Sequence, residues 1–247
     1  MYDPYVTIGH LDAHKWAIMG LCSFAMIFNY IWFFAALRQA KIDRAYSVPA
    51  FTTLFWLAGD GSFLIQFHTW FHTYHDWYPE LFWFALTVTV LFEIAFTAQL
   101  VRYGRSELLP NGTQQQFTAL VAFGVVIAFV VWTMVRHVIV DPLGITYFDL
   151  ANVSGPIAAG ALMLRRRNRA GQTPLIWFSY AAMATIWFIA QYLWFGPEFR
   201  GGEFNAISIL CVVCSVAMGV IVMKMPVYVP KSAESAETKP SGVLNAV

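Results

Sequence analysis

Seven runs of about 20 predominantly apolar residues, separated by short polar connections, dominate the pattern of the chain. They are read as Trp16–Leu37, Pro49–His72, Leu81–Val101, Gln116–Val138, Ile145–Leu164, Pro174–Phe195 and Asn205–Met223. A bilayer core of about 30 Å needs about 20 such residues per helix, so each run is long enough to cross. The pattern predicts an all-α, polytopic seven-transmembrane-helix bundle over residues 1–229. A tail over 230–247, rich in Ser, Ala, Glu, Lys and Pro without periodicity, is expected to be disordered.

The polar connections set the expected orientation. Twelve of the fifteen basic residues follow spans one, three, five and seven, among them Arg38, Lys41, Arg44, Arg102, Arg105, the Arg165–Arg167 run with Arg169, and Lys224. Lys15, Arg136 and Arg200 are the three near the other side. The positive-inside rule then places the amino terminus outside and the carboxyl terminus in the cytoplasm. The first run is too long for a cleavable leader and has Asp3 and Asp12 where a basic region would stand. With the short loops, this points to a bacterial plasma membrane rather than the endoplasmic reticulum.

Composition narrows the function. Hydrophobic residues make up 59% of the 247 and charged residues 12%, too little polar surface to coat a water-soluble enzyme. A net charge of +1 with small basic clusters excludes a nucleic-acid partner. Three cysteines give no disulfide framework, and the Cys211-Val-Val-Cys214 spacing inside span seven fits small-residue packing. No repeat, phosphate loop, nucleophile motif or dinucleotide fingerprint is present.

What remains are ionisable residues at bilayer depth, where a carboxylate costs about 2.5–3.5 kcal/mol or more on insertion scales. Asp60, between Gly59 and Gly61, lies near the middle of span two, and Glu93 at nearly the same depth in span three. The flanking glycines suit a close approach by a ligand or another backbone. Two carboxyls in low dielectric cannot both ionise cheaply, and a protonated acid in an apolar pocket can protonate an olefin or epoxide. Asp149, one turn into span five, and Asn29, halfway down span one, are further candidates, whereas Asp141, Glu198 and Glu203 are expected at the solvated rim. Aromatics including Phe63, Trp132, Trp187 and Tyr192 could line a dry cavity with electron-rich faces, or serve packing and the interfacial belt. His68 and His72, four apart with His75 following, offer the competing chemistry of a metal site.

One stretch carries a resemblance. Asn29-Tyr30, the Lys41–Pro49 loop with Asp43-Arg44, Trp56, Asp60 fourteen residues after Tyr46, and the Gln99–Gly104 run together resemble the membrane-integrated terpene cyclases of meroterpenoid and indole-terpenoid pathways. The likeness covers roughly residues 29–104. It implies a seven-helix, cofactor-independent, metal-free cyclase that protonates an epoxide or alkene of a lipophilic prenylated substrate. Asp60 stands where that family has its acid in span two and would be the proton donor, with Glu93 as second acid. Asn29, Trp56, Phe63, His68, Trp132, Asp149, Trp187 and Tyr192 would bind substrate. The family's second acid, on the last helix, is missing: Cys214 and Ser215 stand near its place, and Glu93, Asp149 or Glu198 would have to substitute. The alternative from another class is a seven-helix small-ligand binder, sensor or carrier in which the buried carboxyls handle a proton or cation.

Overall fold

A computed structural model describes residues 2–229; the tail expected over 230–247 lies outside the described residues. The described chain is all helical: α1 (Pro4–Ala13), α2 (Lys15–Asp43), α3 (Ala50–Leu64), α4 (Trp77–Tyr103), α5 (Arg105–Leu108), α6 (Gln114–Ile139), α7 (Ile145–Arg166), α8 (Pro174–Trp194) and α9 (Gly202–Lys224). A π-helical turn, Thr69–Tyr74, joins α3 to α4, and a 3-10 turn, Pro197–Arg200, joins α8 to α9. Five of these helices, α2, α4, α6, α8 and α9, are long and apolar enough to cross a membrane.

The two remaining expected spans take other forms. In the Pro49–His72 run α3 ends at Leu64; a turn at 65–66, a short helical step at 67–68 and the π-helical turn follow. The Ile145–Leu164 run is the continuous α7, but Asp149, Asn152, Ser154 and Pro156 make it less apolar than the five. Both helices sit against the others: α3 packs on α4, α6 and α7, and α7 on α9. A helix surrounded by protein can carry polar groups that a lipid-facing helix cannot.

Local chemistry explains where the helices begin and end. Asp3 caps α1 by accepting from the Tyr5 and Val6 amides, and Asp76 caps α4 through the Tyr78 amide. Thr113 and Gln116 form a reciprocal capping box at the start of α6. Pro174 opens α8, where its missing N–H is no loss.

Helix α1, not foreseen in the sequence, lies across one end of the bundle. The Tyr2 hydroxyl donates to Asp141 Oδ1 at 2.5 Å, and the indole of Trp77 donates to Asp12 Oδ1 at 2.7 Å. Asp141 is therefore no solvated rim residue. It is buried, and its Oδ2 accepts from the Tyr147 amide at 2.7 Å.

At the opposite end, ion pairs draw the basic connections together. Glu107 accepts from Arg165 at 2.5 Å and from Arg166 at 2.7 Å, while Arg166 also donates to the Tyr46 carbonyl at 3.0 Å. The α2–α3 connection, α5 and the end of α7 are thereby held side by side.

Tryptophans divide into two groups. Trp16 is 80% exposed, as an interfacial residue would be. Trp70, Trp83 and Trp132 are buried or half-buried and donate their indole N–H groups to the carbonyls of Pro142, Leu64 and Phe55. They peg one element to the next.

Candidate active site

A cavity of about 420 Å³ lies between α2 and α4, backed by α3, α7 and α8. That is within the usual size for a small-molecule site. Its lining is overwhelmingly apolar, and neither α6 nor α9 contributes to it. Exposed lining residues on the two flanking helices, Ser23 on α2 with Leu81 and Phe84 on α4, mark its mouth, which opens sideways through the wall of the bundle. Trp77, pinned to α1 through Asp12, forms one edge.

The inner wall is a trio of aromatic rings from three helices. Trp32 meets Trp56 edge-on at 5.7 Å and Tyr180 at 5.3 Å, and Trp56 stacks parallel to Tyr180 at 6.4 Å. Each polar handle is turned to a neighbour. Trp32 Nε1 donates to Asn29 Oδ1 at 2.9 Å, Trp56 Nε1 to the Ala151 carbonyl at 3.0 Å, and the Tyr180 hydroxyl to the Asn152 carbonyl at 2.8 Å. What this wall offers the cavity is mainly π-electron surface, the feature that attracts cations.

The sequence of α7 explains how this wall is built. Pro156 has no N–H, so the carbonyl four residues back, that of Asn152, lacks its helical partner. The Tyr180 hydroxyl takes that place. The preceding Gly155 leaves room: a Cβ there would lie 3.0 Å from both Trp56 Cζ2 and Tyr180 Oη.

Asp60 and Glu93 enter the cavity from α3 and α4, buried to 5% and 1% exposure, with their carboxyls in hydrogen-bonding contact. Such a contact needs a proton on one of the two. On its far side, Asp60 Oδ1 accepts from the Tyr147 hydroxyl at 2.7 Å. Tyr147 is wedged between Trp132, edge-on at 4.5 Å, and Phe63 at 5.1 Å. The closeness expected at Gly59 is thus explained by Tyr147, a side chain rather than a ligand or backbone. Gly61 meets only ordinary packing, with Phe129 at 3.8 Å from a built Cβ.

The candidate residues named from sequence separate cleanly. Asp60, Glu93, Asn29, Trp56 and Trp187 line the cavity. Phe63 and Trp132 stand behind it, packed on Tyr147. Asp149 is buried between α7 and α8, where its carboxyl accepts from Trp187 Nε1 at 3.1 Å and from Gln191 Nε2 at 2.6 Å. It is a bridge behind the aromatic wall, not a wall residue. His68 and Tyr192 are exposed and away from the cavity. The rings of His68 and His72 lie 4.9 Å apart, and among the described residues no three His, Cys, Asp or Glu side chains cluster to hold a metal. Glu198 is exposed, and Ser215 donates to the Cys211 carbonyl within α9, so of the possible second acids only Glu93 reaches Asp60.

Three contributors escape a sequence reading: Tyr147, Tyr180 and the Gly155-Pro156 pair. The last carried a usable signal, because a proline inside an apolar run always frees a carbonyl that something must bond.

No family model, curated protein or solved structure matches the chain.

Proposed function

We propose that the chain is a membrane-embedded isoprenoid cyclase or isomerase that protonates an alkene or epoxide of a prenylated substrate by general acid catalysis. The observation that carries this reading is the contact between two buried carboxyls on the wall of an apolar, aromatic-lined cavity. A proton held in such a place has no water to go to, so its natural acceptor is a bound olefin or epoxide. The resulting cation would face Trp32, Trp56 and Tyr180, whose ring faces stabilise positive charge without adding a nucleophile to quench it. The resemblance to membrane-integrated terpene cyclases supports the same reading, with Glu93 in place of the missing acid on the last helix.

In this proposal α3 with its π-helical extension and α7 complete a seven-span bundle. The end gathered by Glu107, Arg165 and Arg166 faces the cytoplasm, and α1 lies on the outer face. The membrane is a bacterial plasma membrane, and the substrate enters through the α2–α4 mouth.

The test uses membranes containing the wild-type protein or Asp60→Asn, incubated in deuterated water with a panel of linear and epoxidised prenyl compounds. Isomeric products carrying deuterium and formed only by the wild type are expected. Alkene-derived products of the first turnover without deuterium at carbon, or products formed equally by the variant from any substrate, would overturn the acid mechanism.

A further inference from the structure

The two carboxyls are not equivalent in their surroundings, and the difference divides the labour between them. Asp60 receives the Tyr147 hydroxyl at 2.7 Å. Glu93 receives no donor from the described residues apart from Asp60 itself, and its Oε2 is sealed from solvent without a partner.

Two placements of the shared proton can be compared by counting donors. With the proton on Asp60, Glu93 would be a carboxylate in an apolar wall with a single donor, and the Tyr147 hydroxyl would be spent on a neutral acid. With the proton on Glu93, the Asp60 carboxylate collects two O–H donors, one from Glu93 and one from Tyr147. Buried charge is tolerated where hydrogen bonds converge on it, and charge-assisted bonds are roughly twice as strong as neutral ones. The second placement puts the charge where the donors converge and leaves only an oxygen of a neutral acid, on Glu93, without a donor.

We infer that Glu93 is the proton donor of the pair and Asp60, held by Tyr147, its conjugate acceptor, so that a proton enters and leaves the substrate at the same wall. This rests on the acid–base reading above and refines the part played by each residue.

For an alkene the cycle balances without a co-reactant. The Glu93 O–H bond breaks and its proton joins one olefinic carbon, the π pair forming the new C–H bond and leaving a carbocation. A C–H bond beside the cationic carbon then breaks, its pair forming the new double bond and its proton passing to the Asp60 carboxylate. The proton returns from Asp60 to Glu93 across their hydrogen bond. The outcome is a shifted double bond, or a ring where a second alkene traps the cation before proton loss. Water is neither consumed nor needed to reset the pair. Tyr147 is a positioning residue here: it does not line the cavity, and it acts by keeping Asp60 anionic.

The experiment needs no substrate. Infrared spectra of the full-length protein in lipid nanodiscs are recorded in the carbonyl-stretch region of protonated carboxylic acids, at neutral pH and with hydrogen–deuterium exchange. Asp149 is a second buried carboxyl, so difference spectra against single variants make the assignment. Glu93→Gln is expected to remove one acid band that Asp60→Asn retains, and Tyr147→Phe to move that band's frequency. If either variant fails to fold, wild-type protein labelled with [13C]glutamate or with [13C]aspartate replaces it, and only the glutamate label should shift the band. A band lost in Asp60→Asn and kept in Glu93→Gln would overturn the assignment, as would a band lost in both or a glutamate label without effect. An unmoved band in Tyr147→Phe would remove Tyr147 from the mechanism. Because no turnover is read, failure here is separable from failure of the cyclase proposal: the bands can behave as expected while no prenyl compound reacts, and the reverse.

Discussion

Tyr147 reaches Asp60 only because residue 59 has no side chain. A Cβ on Gly59 would lie 2.1 Å from the phenolic oxygen and 2.3–2.4 Å from two ring carbons. The ring cannot retreat, since Trp132 and Phe63 hold it from the sides. Gly59→Ala should therefore displace Tyr147 and cost about 1–3 kcal/mol of stability, the range for overpacking. Thermal unfolding in detergent measures it. Combined with Tyr147→Ala, the added methyl should cost less than it does alone, and full additivity would mean that the two sites are not in contact.

Under the proposed function, removing either member of the carboxyl pair should stop the chemistry and leave the fold. Asp60→Asn and Glu93→Gln are each expected to lower turnover by about 10²–10⁴-fold, the usual weight of a general acid or base. Ser215→Ala should leave turnover near the wild-type value, because Ser215 bonds only within α9 and does not face the cavity. Rates and size-exclusion profiles together decide the matter. A larger loss in Ser215→Ala than in Glu93→Gln would return the proton chemistry to the last helix.

The proline-freed carbonyl gives a test of how the aromatic wall is held. In the wild type, Tyr180→Phe leaves the Asn152 carbonyl buried without its donor, at a cost of about 1–3 kcal/mol. In a Pro156→Ala background the restored helix N–H can take that carbonyl. The same Tyr180 change should then cost under about 1 kcal/mol. Equal costs in the two backgrounds would show that the proline does not govern this bond.

Ala85 is partly exposed and lines the cavity on α4 near the mouth. Ala85→Trp should obstruct entry while leaving the thermal midpoint close to wild type. A fluorescent prenyl probe in nanodiscs would then bind at least about tenfold more weakly, corresponding to 1.4 kcal/mol or more. Unchanged binding would place the entrance elsewhere.

Glu107 supplies a pH-dependent contribution outside the spans. Burial acts to raise its pKa, but hydrogen bonding and charge from Arg166, then Arg165, outweigh it and hold the carboxyl below the ordinary glutamate value. A folded-state value below the unfolded one stabilises the protein above the unfolded value, about 4.3, and the stabilisation is lost as pH falls through the folded value. Unfolding midpoints should drop on acidification below that point, and Glu107→Gln should flatten this part of the profile. At neutral pH the same variant should cost about 1.5–3 kcal/mol, the weight of charge-assisted hydrogen bonds. A profile identical to wild type would mean that the Arg165–Glu107–Arg166 cluster is electrostatically idle.

The hydropathy pattern was enough to place α2, α4, α6, α8 and α9 to within a few residues at most ends. It also drew attention to Asp60 and Glu93 as the acids needing a reason. The rotation of each helix about its own axis was not legible. A helix bounded by lipid on one side and protein on the other is apolar all round, so polarity no longer marks the inward face. That is why the sequence does not separate Phe63, Trp132 and Asp149 from Trp56 and Trp187, although only the latter two meet the cavity. The same loss of contrast hid Tyr147: nothing in the Ile145–Leu164 run says that its tyrosine points at residue 60. Asp141 was misplaced for a different reason. A loop acid is ordinarily solvated, and only the fold of α1 over the bundle brings Tyr2 to it.

The sideways mouth between α2 and α4 also bears on kinetics under the proposed function. A reactant that arrives through the wall of the bundle is dissolved in acyl chains, so its effective dose is its mole fraction among the lipids and not its amount per litre of buffer. Diluting the reaction with empty vesicles would lower the rate for an exchangeable substrate at constant total protein and substrate. Adding buffer at fixed lipid would change little. The product would be released into the same two-dimensional phase and would remain there to compete with the next substrate molecule.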